Sequence, residues 1–219
     1  MKPRSSFDKA LIEIQEDIFQ LANLVEQAIF NAVQSLIKLD PAGAAQVIMC
    51  DEEIDELYAK IESKCIKLIA TQQPMARDLR MVVTGIKILL SLERIGDHAV
   101  DIAQATMCIR ESELNRKCSE YLTKMSRIVQ QMIKDGLGAY RKRDAQKAQE
   151  MCTLDDEVDH IFTKIFQLLI DNILADPKSI VQSSYLLYVS RYLERIADHA
   201  TDIGEAVIYL ITGERKKLN

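Results

Sequence analysis

Between residues 6 and 39, apolar side chains recur at Leu11, Ile14, Ile18, Leu21, Val25, Ala28, Ala32 and Leu36. That near-heptad rhythm predicts one long amphipathic helix. Asp40-Pro41 then supplies a capping acid and a proline suited to a first helical turn, so a second helix starts there. Its apolar side carries Val47, Ile54, Leu57, Tyr58, Ile61, Cys65 and Leu68, and Thr71-Gln72-Gln73-Pro74 breaks it. A third helix is expected from about Pro74 to about Arg110. Ser112 is the expected cap of a fourth, over 112–142, with Leu122, Met125, Val129, Met132 and Ile133 inward. Asp144 caps a fifth, with Met151, Val158, Phe162, Ile165 and Leu169 inward. Asp176-Pro177 repeats the cap-and-proline signal for a sixth that ends at Gly213, and the tail Glu214-Arg215-Lys216-Lys217 is expected to fray.

The pattern is written twice. Leu92-Glu93-Arg94-Ile95-Gly96-Asp97-His98-Ala99-Val100-Asp101 returns without a gap as Leu193-Glu194-Arg195-Ile196-Ala197-Asp198-His199-Ala200-Thr201-Asp202. Cys50-Asp51-Glu52-Glu53-Ile54-Asp55 likewise matches Leu154-Asp155-Asp156-Glu157-Val158-Asp159, at the same distance from its capping Asp. An internal repeat of this kind predicts a repeated architecture. Each half supplies three helices of roughly 30 residues, about 45 Å long, joined by short connections that make sequential helices neighbours. The expected fold is all-α: two pseudosymmetric three-helix bundles, six long antiparallel helices, with residues 1–110 and 111–219 as the two units.

In the doubled motif the spacing Glu-x-x-x-Asp-x-x-x-Asp sets three acids near one helix face. Measured from Glu93, the apolar residues Leu79, Val82, Ile86, Leu89, Leu90, Val100 and Met107 fall within about 60°, which puts Glu93 at the centre of the expected buried stripe. Carboxylates there are costly unless paired, hydrogen-bonded or bound to a cation. The second helix of each half adds Asp51/Asp55 and Asp155/Asp159 at the rim of its own stripe. If the helix faces meet, four carboxylates converge per half: Asp51, Asp55, Glu93 and Asp97, then Asp155, Asp159, Glu194 and Asp198. Such a group repels itself, and a hard or borderline cation such as Mg, Ca, Mn or Fe is the simplest remedy. Asp101, Asp202, Glu52 and Asp156 are weaker candidates. The competing reading is ion pairing: Arg94 and Arg195 follow the glutamates, and Arg191 stands three residues before Glu194. His98 and His199 project about 140° from the stripe centre and are expected to face solvent or to donate hydrogen bonds behind the ligands. Glu157-x-x-His160 fits half of a di-iron motif but has no second copy.

Composition narrows the function. The chain of 219 residues has a formal net charge of −5, which disfavours nucleic acid as a partner. Seven Gly, four Pro and no Trp suit long helices. The cysteines Cys50, Cys65, Cys108, Cys118 and Cys152 form no C-x-x-C pair and read as reduced thiols of a cytosolic protein. No signal-peptide region and no membrane span are evident, so membrane contact is expected only through a partner. No phosphate loop, nucleophile elbow or zinc spacing occurs, and Met and aromatic residues at core spacing call for no organic cofactor.

The doubled "LERIGDHA" and "LERIADHATDI", the run Arg77-Asp78-Leu79-Arg80-Met81-Val82-Val83 and Cys50-Asp51-Glu52-Glu53-Ile54-Asp55 together resemble the PhoU family over essentially the whole chain. The resemblance implies a cytoplasmic, non-enzymatic negative regulator of the phosphate-starvation response. Such a protein links the ATPase subunit of the phosphate-specific ABC transporter to a two-component sensor histidine kinase, restrains phosphate uptake, and commonly forms a homodimer. It also implies multinuclear iron, with Zn, Mn, Mg or Ca as alternatives, on the eight repeated acids. Arg80 has Val181 at the equivalent place of the second half, so its role is not duplicated. Two other readings stay open at this point: a carboxylate-bridged metal enzyme, and a metal-free helical scaffold with salt-bridged acids.

Overall fold

A computed structural model describes residues 5–109, 114–215, 217 and 218. Its helices are α1 (Ser5–Lys38), α2 (Pro41–Gln72), α3 (Arg77–Cys108), α4 (Arg116–Lys142), α5 (Ala145–Cys152), α6 (Asp155–Ala175) and α7 (Ile180–Thr212), with a 3-10 turn at Pro177–Ser179. There are no strands among the described residues. α1, α2 and α3 pack on one another as the first bundle; α4, α5, α6 and α7 form the second. The bundles lie side by side, joined chiefly along α3 and α7 and also where α1 meets α4. Their buried side chains make one contiguous core.

The caps expected from sequence set the starts of the second helix in each repeat. Asp40 Oδ1 accepts from the N–H groups of Ala42 and Gly43, both at 3.1 Å, and Asp144 Oδ1 accepts from Lys147 N–H at 3.0 Å. Other boundaries move. α3 begins at Arg77, not Pro74, because Gln73 and Ala76 adopt left-handed φ values of 44° and 48°. The expected cap at Ser112 and the expected division between residues 110 and 111 lie outside the described residues. The first described cap of α4 is Asn115, whose Oδ1 accepts from Cys118 N–H at 3.1 Å. The tail is partly anchored: Leu218 N–H donates to Glu205 Oε1 at 2.7 Å.

The fifth helix is not continuous. Thr153 and Leu154 interrupt it with tightened bonds, Thr153 N–H to Glu150 O at 3.2 Å and Leu154 N–H to Met151 O at 3.1 Å. The break lies beside a close approach across the bundle. α5 approaches α7 at Gly204 so closely that a Cβ there would stand 2.6 Å from Cys152 Sγ and 3.1 Å from the Ala148 carbonyl. The first repeat has Ala103 at that position, and α2 stays unbroken.

α3 corrects the expected stripe. It faces α1 and α2 on one flank and α7 on the other, so its buried arc is wide and runs through Val82, Gly85, Leu89, Leu92, Ile95, Gly96, Ala99 and Ile102. Leu92 marks its middle, one residue and hence about 100° from Glu93. Glu93 therefore lies at the edge of the buried arc, and Leu79, Leu90 and Met107, expected inside, are exposed.

Candidate functional site

The edge position of Glu93 brings it to α2. Desolvation by burial raises its pKa, and the charges of Asp97, Asp55 and Asp51 add to that against the lowering effect of Arg94. Asp51 is raised likewise by burial, then by Asp55 and Asp97. The four acids of the first half thus share one electrostatic field. Glu93 Oε2 is buried without a hydrogen bond, although Arg94 Nε lies 3.4 Å away; that separation is a charge contact, not a bond. Arg94 is turned instead to Asp97, with Nη1 to Oδ2 at 3.0 Å.

The second half repeats the arrangement more deeply. Asp155, at the start of α6, is 8 % exposed. Burial pushes its carboxyl up to about 6, and Asp159, Asp198, Glu194 and Asp156 add to the rise. Asp155 Oδ1 and Glu194 Oε2 are both buried without hydrogen bonds. Glu194 is raised by burial and by Asp198, while Arg191 and Arg195 lower it. Asp159 is raised by burial, then by Asp198 and Asp156, against Arg191. Arg191 hydrogen-bonds Glu194, and Arg195 Nη1 meets Asp198 Oδ2 at 2.9 Å. Ion pairing therefore occupies part of each group, and one glutamate oxygen per half has a charge contact, Arg94 Nε at 3.4 Å or Arg195 Nε at 3.8 Å, but no hydrogen bond.

Of the weaker candidates, Asp101 and Asp202 are turned to the histidines. His98 Nδ1 donates to Asp101 Oδ2 at 3.1 Å and His199 Nδ1 to Asp202 Oδ2 at 3.3 Å. Of the two roles expected for the imidazoles, hydrogen bonding is the one they take; beyond it, His98 stacks on His199 and on Tyr192 in the seam between α3 and α7. Periodicity within one helix does not reveal a partner on another bundle, so this pairing was invisible in the sequence. Glu52 and Asp156 are exposed. Glu157 pairs with Lys124 at 2.7 Å, and His160 is exposed, so the half-motif does not assemble.

The donor set is chemically suited to a cation. It is all oxygen, mutually repelling, partly desolvated, and includes three orphaned carboxylate oxygens. Among the described residues, no three His, Cys, Asp or Glu side chains are already gathered into a metal-holding group. Asp97 and Asp198 are each held by an arginine, Arg94 and Arg195. The thiols are uninvolved: Cys65, Cys118 and Cys152 are buried, which pushes them up to about 11, 12 and 12, and Cys50 and Cys108 are exposed and free. Among the described residues no helix is long and apolar enough to cross a membrane.

Known proteins share this layout. A family model for the PhoU domain matches residues 18–106 and again 122–207. A phosphate-specific transport system accessory protein PhoU homolog of Clostridium acetobutylicum is 39 % identical over 217 residues, covering 99 % of both chains. Its namesake in Aquifex aeolicus is 38 % identical over 206 residues, 94 % of this chain and 93 % of that one. The crystal structure of the phosphate transport system regulatory protein PhoU from Streptococcus pneumoniae superposes with a TM-score of 0.90 at 31 % identity, over 97 % of this chain and 100 % of the other.

Proposed function

The chain belongs to the PhoU family, and from that premise we propose that it is a cytoplasmic adaptor of phosphate transport. In this reading it holds the phosphate-starvation response off when phosphate is plentiful and restrains uptake. Its partners are the ATPase subunit of the phosphate-specific transporter and a sensor histidine kinase, and it acts as a homodimer. The observation that carries the reading is similarity along the full chain to relatives named as accessory proteins of phosphate transport. The role requires no turnover; docking of partner segments along the grooves between long helices is sufficient.

The two acidic groups are the proposed cation sites. Asp51, Asp55, Glu93 and Asp97 would hold one ion or cluster, and Asp155, Asp159, Glu194 and Asp198 the other. Bound metal would supply positive charge to two patches that otherwise repel themselves, and would fix α2 to α3 and α6 to α7. Residues of this chain do the rest. Arg94 and Arg195 hold Asp97 and Asp198 while no ion is bound.

Deletion of the gene tests the adaptor. Transcription from phosphate-repressed promoters should rise in high-phosphate medium and return to baseline on complementation. Unchanged repression in the deletion strain would overturn the reading.

A further inference from the structure

Arg80, unmatched in the second repeat, joins an excess of cations at one end of the two bundles. The first turn of α3 supplies Arg77 and Arg80, and the C-terminus of α4 supplies Arg143. These three arginines line one cleft of about 470 Å³. A second cleft, of about 440 Å³, is lined by Lys87 and Arg215 beside Tyr209. The Tyr209 ring connects the two clefts. Lys87 Nζ, Arg80 Cζ and Arg215 Cζ lie 5.2, 5.6 and 5.9 Å from its centroid.

This concentration runs against the overall charge of the chain, which is −5 with these five cations included. Among the described residues none of these five cations makes an ion pair. The acids that share the second cleft are committed elsewhere. Asp202 holds His199 at 3.3 Å, and Glu205 accepts the Leu218 N–H at 2.7 Å. Arg77 and Arg80 also stand at the positive end of α3, where a cation is unfavourable, and Ala76 offers that end no side-chain cap. Arg80 has one structural use: its guanidinium lies against Gly213, where a Cβ would come within 2.7 Å of Nη1. Lys87 and Arg215 lie on the Tyr209 ring and Arg143 Nη2 donates to Met81 Sδ at 3.1 Å, but these partners are neutral and leave the positive charges unbalanced.

We propose that this end of the protein binds a small anion carrying two or more phosphoryl groups, a condensed phosphate being the simplest. Guanidinium forks pair bidentately with phosphoryl oxygens. Five cations spread over two adjoining clefts exceed what one phosphate can meet, and each cleft falls within the range of about 300–1,000 Å³ typical of small-molecule sites. The inference does not depend on the adaptor reading, because it rests only on the placement of these charges.

Calorimetric titration of the full chain in metal-free buffer tests it, with tripolyphosphate, pyrophosphate and inorganic phosphate as probes. Saturable binding is expected for tripolyphosphate, roughly tenfold or more tighter than for phosphate. The exposed pair Arg77→Gln/Arg143→Gln, which spares the Gly213 contact, should weaken it by roughly tenfold or more with an unchanged thermal midpoint. Lys60→Gln/Lys164→Gln, which removes cations on the distant α2 and α6 surfaces, should bind like the parent chain. Absence of saturable binding, undiminished binding by the arginine pair, or equal loss in the lysine control would each overturn the proposal.

Discussion

His98 and His199, the same position in the two copies of the motif, stack ring on ring across the seam between the bundles, with centroids 5.7 Å apart and planes 21° apart. Each ring is oriented by the acid three residues on, Asp101 or Asp202. The repeat thus meets itself at its own histidines. An aromatic pair of this kind contributes about 0.5–1.5 kcal/mol beyond its buried area. A double-mutant cycle of His98→Ala and His199→Ala, read by urea unfolding, should return a coupling of about that size. Strictly additive losses would mean that aliphatic packing alone holds the seam.

The break between α5 and α6 yields a second prediction. Gly204 lets Cys152 and Met151 reach α7, and a Cβ there would stand 2.6 and 2.8 Å from their side-chain atoms. Gly204→Ala should therefore destabilise by about 1–3 kcal/mol, as overpacking does, although alanine is the better helix former. Adding Cys152→Ala removes the nearest atom and should restore part of the loss. If Gly204→Ala alone raised the unfolding midpoint, the close approach would not be what interrupts the helix.

Much of this architecture was legible in the sequence because the repeat states it twice. Asp40-Pro41 marks a helix start by chemistry that acts within a few residues and acts as read, whereas Asp176-Pro177 caps only the 3-10 turn Pro177–Ser179 and α7 starts beyond it at Ile180. What was not legible depends on neighbours distant in sequence. A single-helix wheel put Glu93 at the centre of the stripe, but α3 is buried on two flanks, which shifts the centre toward Leu92. The same omission hid the stacking of His98 on His199 and kept the fifth helix whole. That Asp51, Asp55 and Asp97 act electrostatically on Glu93 was legible, since spacing within each helix and adjacency of helices both follow from local signals.

Asp155 predicts a pH dependence for the metal-free protein. Its carboxyl is raised from 3.8 to about 6 in the folded state. Between those values the folded chain binds more protons than the unfolded one, so stability falls as pH rises. The stability that comes with the protonated form is complete below about pH 4 and is lost as pH passes 6. Asp155→Asn, which cannot ionise, should gain on the order of 1–2 kcal/mol over the parent chain at pH 7.5 and nothing at pH 4. Urea midpoints at the two pH values check this. An equal effect at both would remove ionisation of Asp155 as the cause.

The acids also predict opposite behaviour with and without metal. Glu93→Gln/Asp97→Asn/Glu194→Gln/Asp198→Asn removes charge from both groups while keeping their shapes. Without metal this variant should be the more stable protein, because the burial of charge and the mutual repulsion that raise Glu93, Asp155, Asp159 and Glu194 are relieved. In the presence of iron or manganese the order should reverse, because only the unsubstituted chain gains binding energy, about 2.7 kcal/mol at a hundredfold excess of free ion over Kd. Thermal midpoints of both proteins, measured with chelator and with each ion, and elemental analysis after gel filtration give the two readouts. Retention of metal by the parent chain and its loss in the variant would identify the acids as ligands. Equal midpoints with and without ions in the parent chain, and no retained metal, would return these carboxylates to Arg94, Arg191 and Arg195.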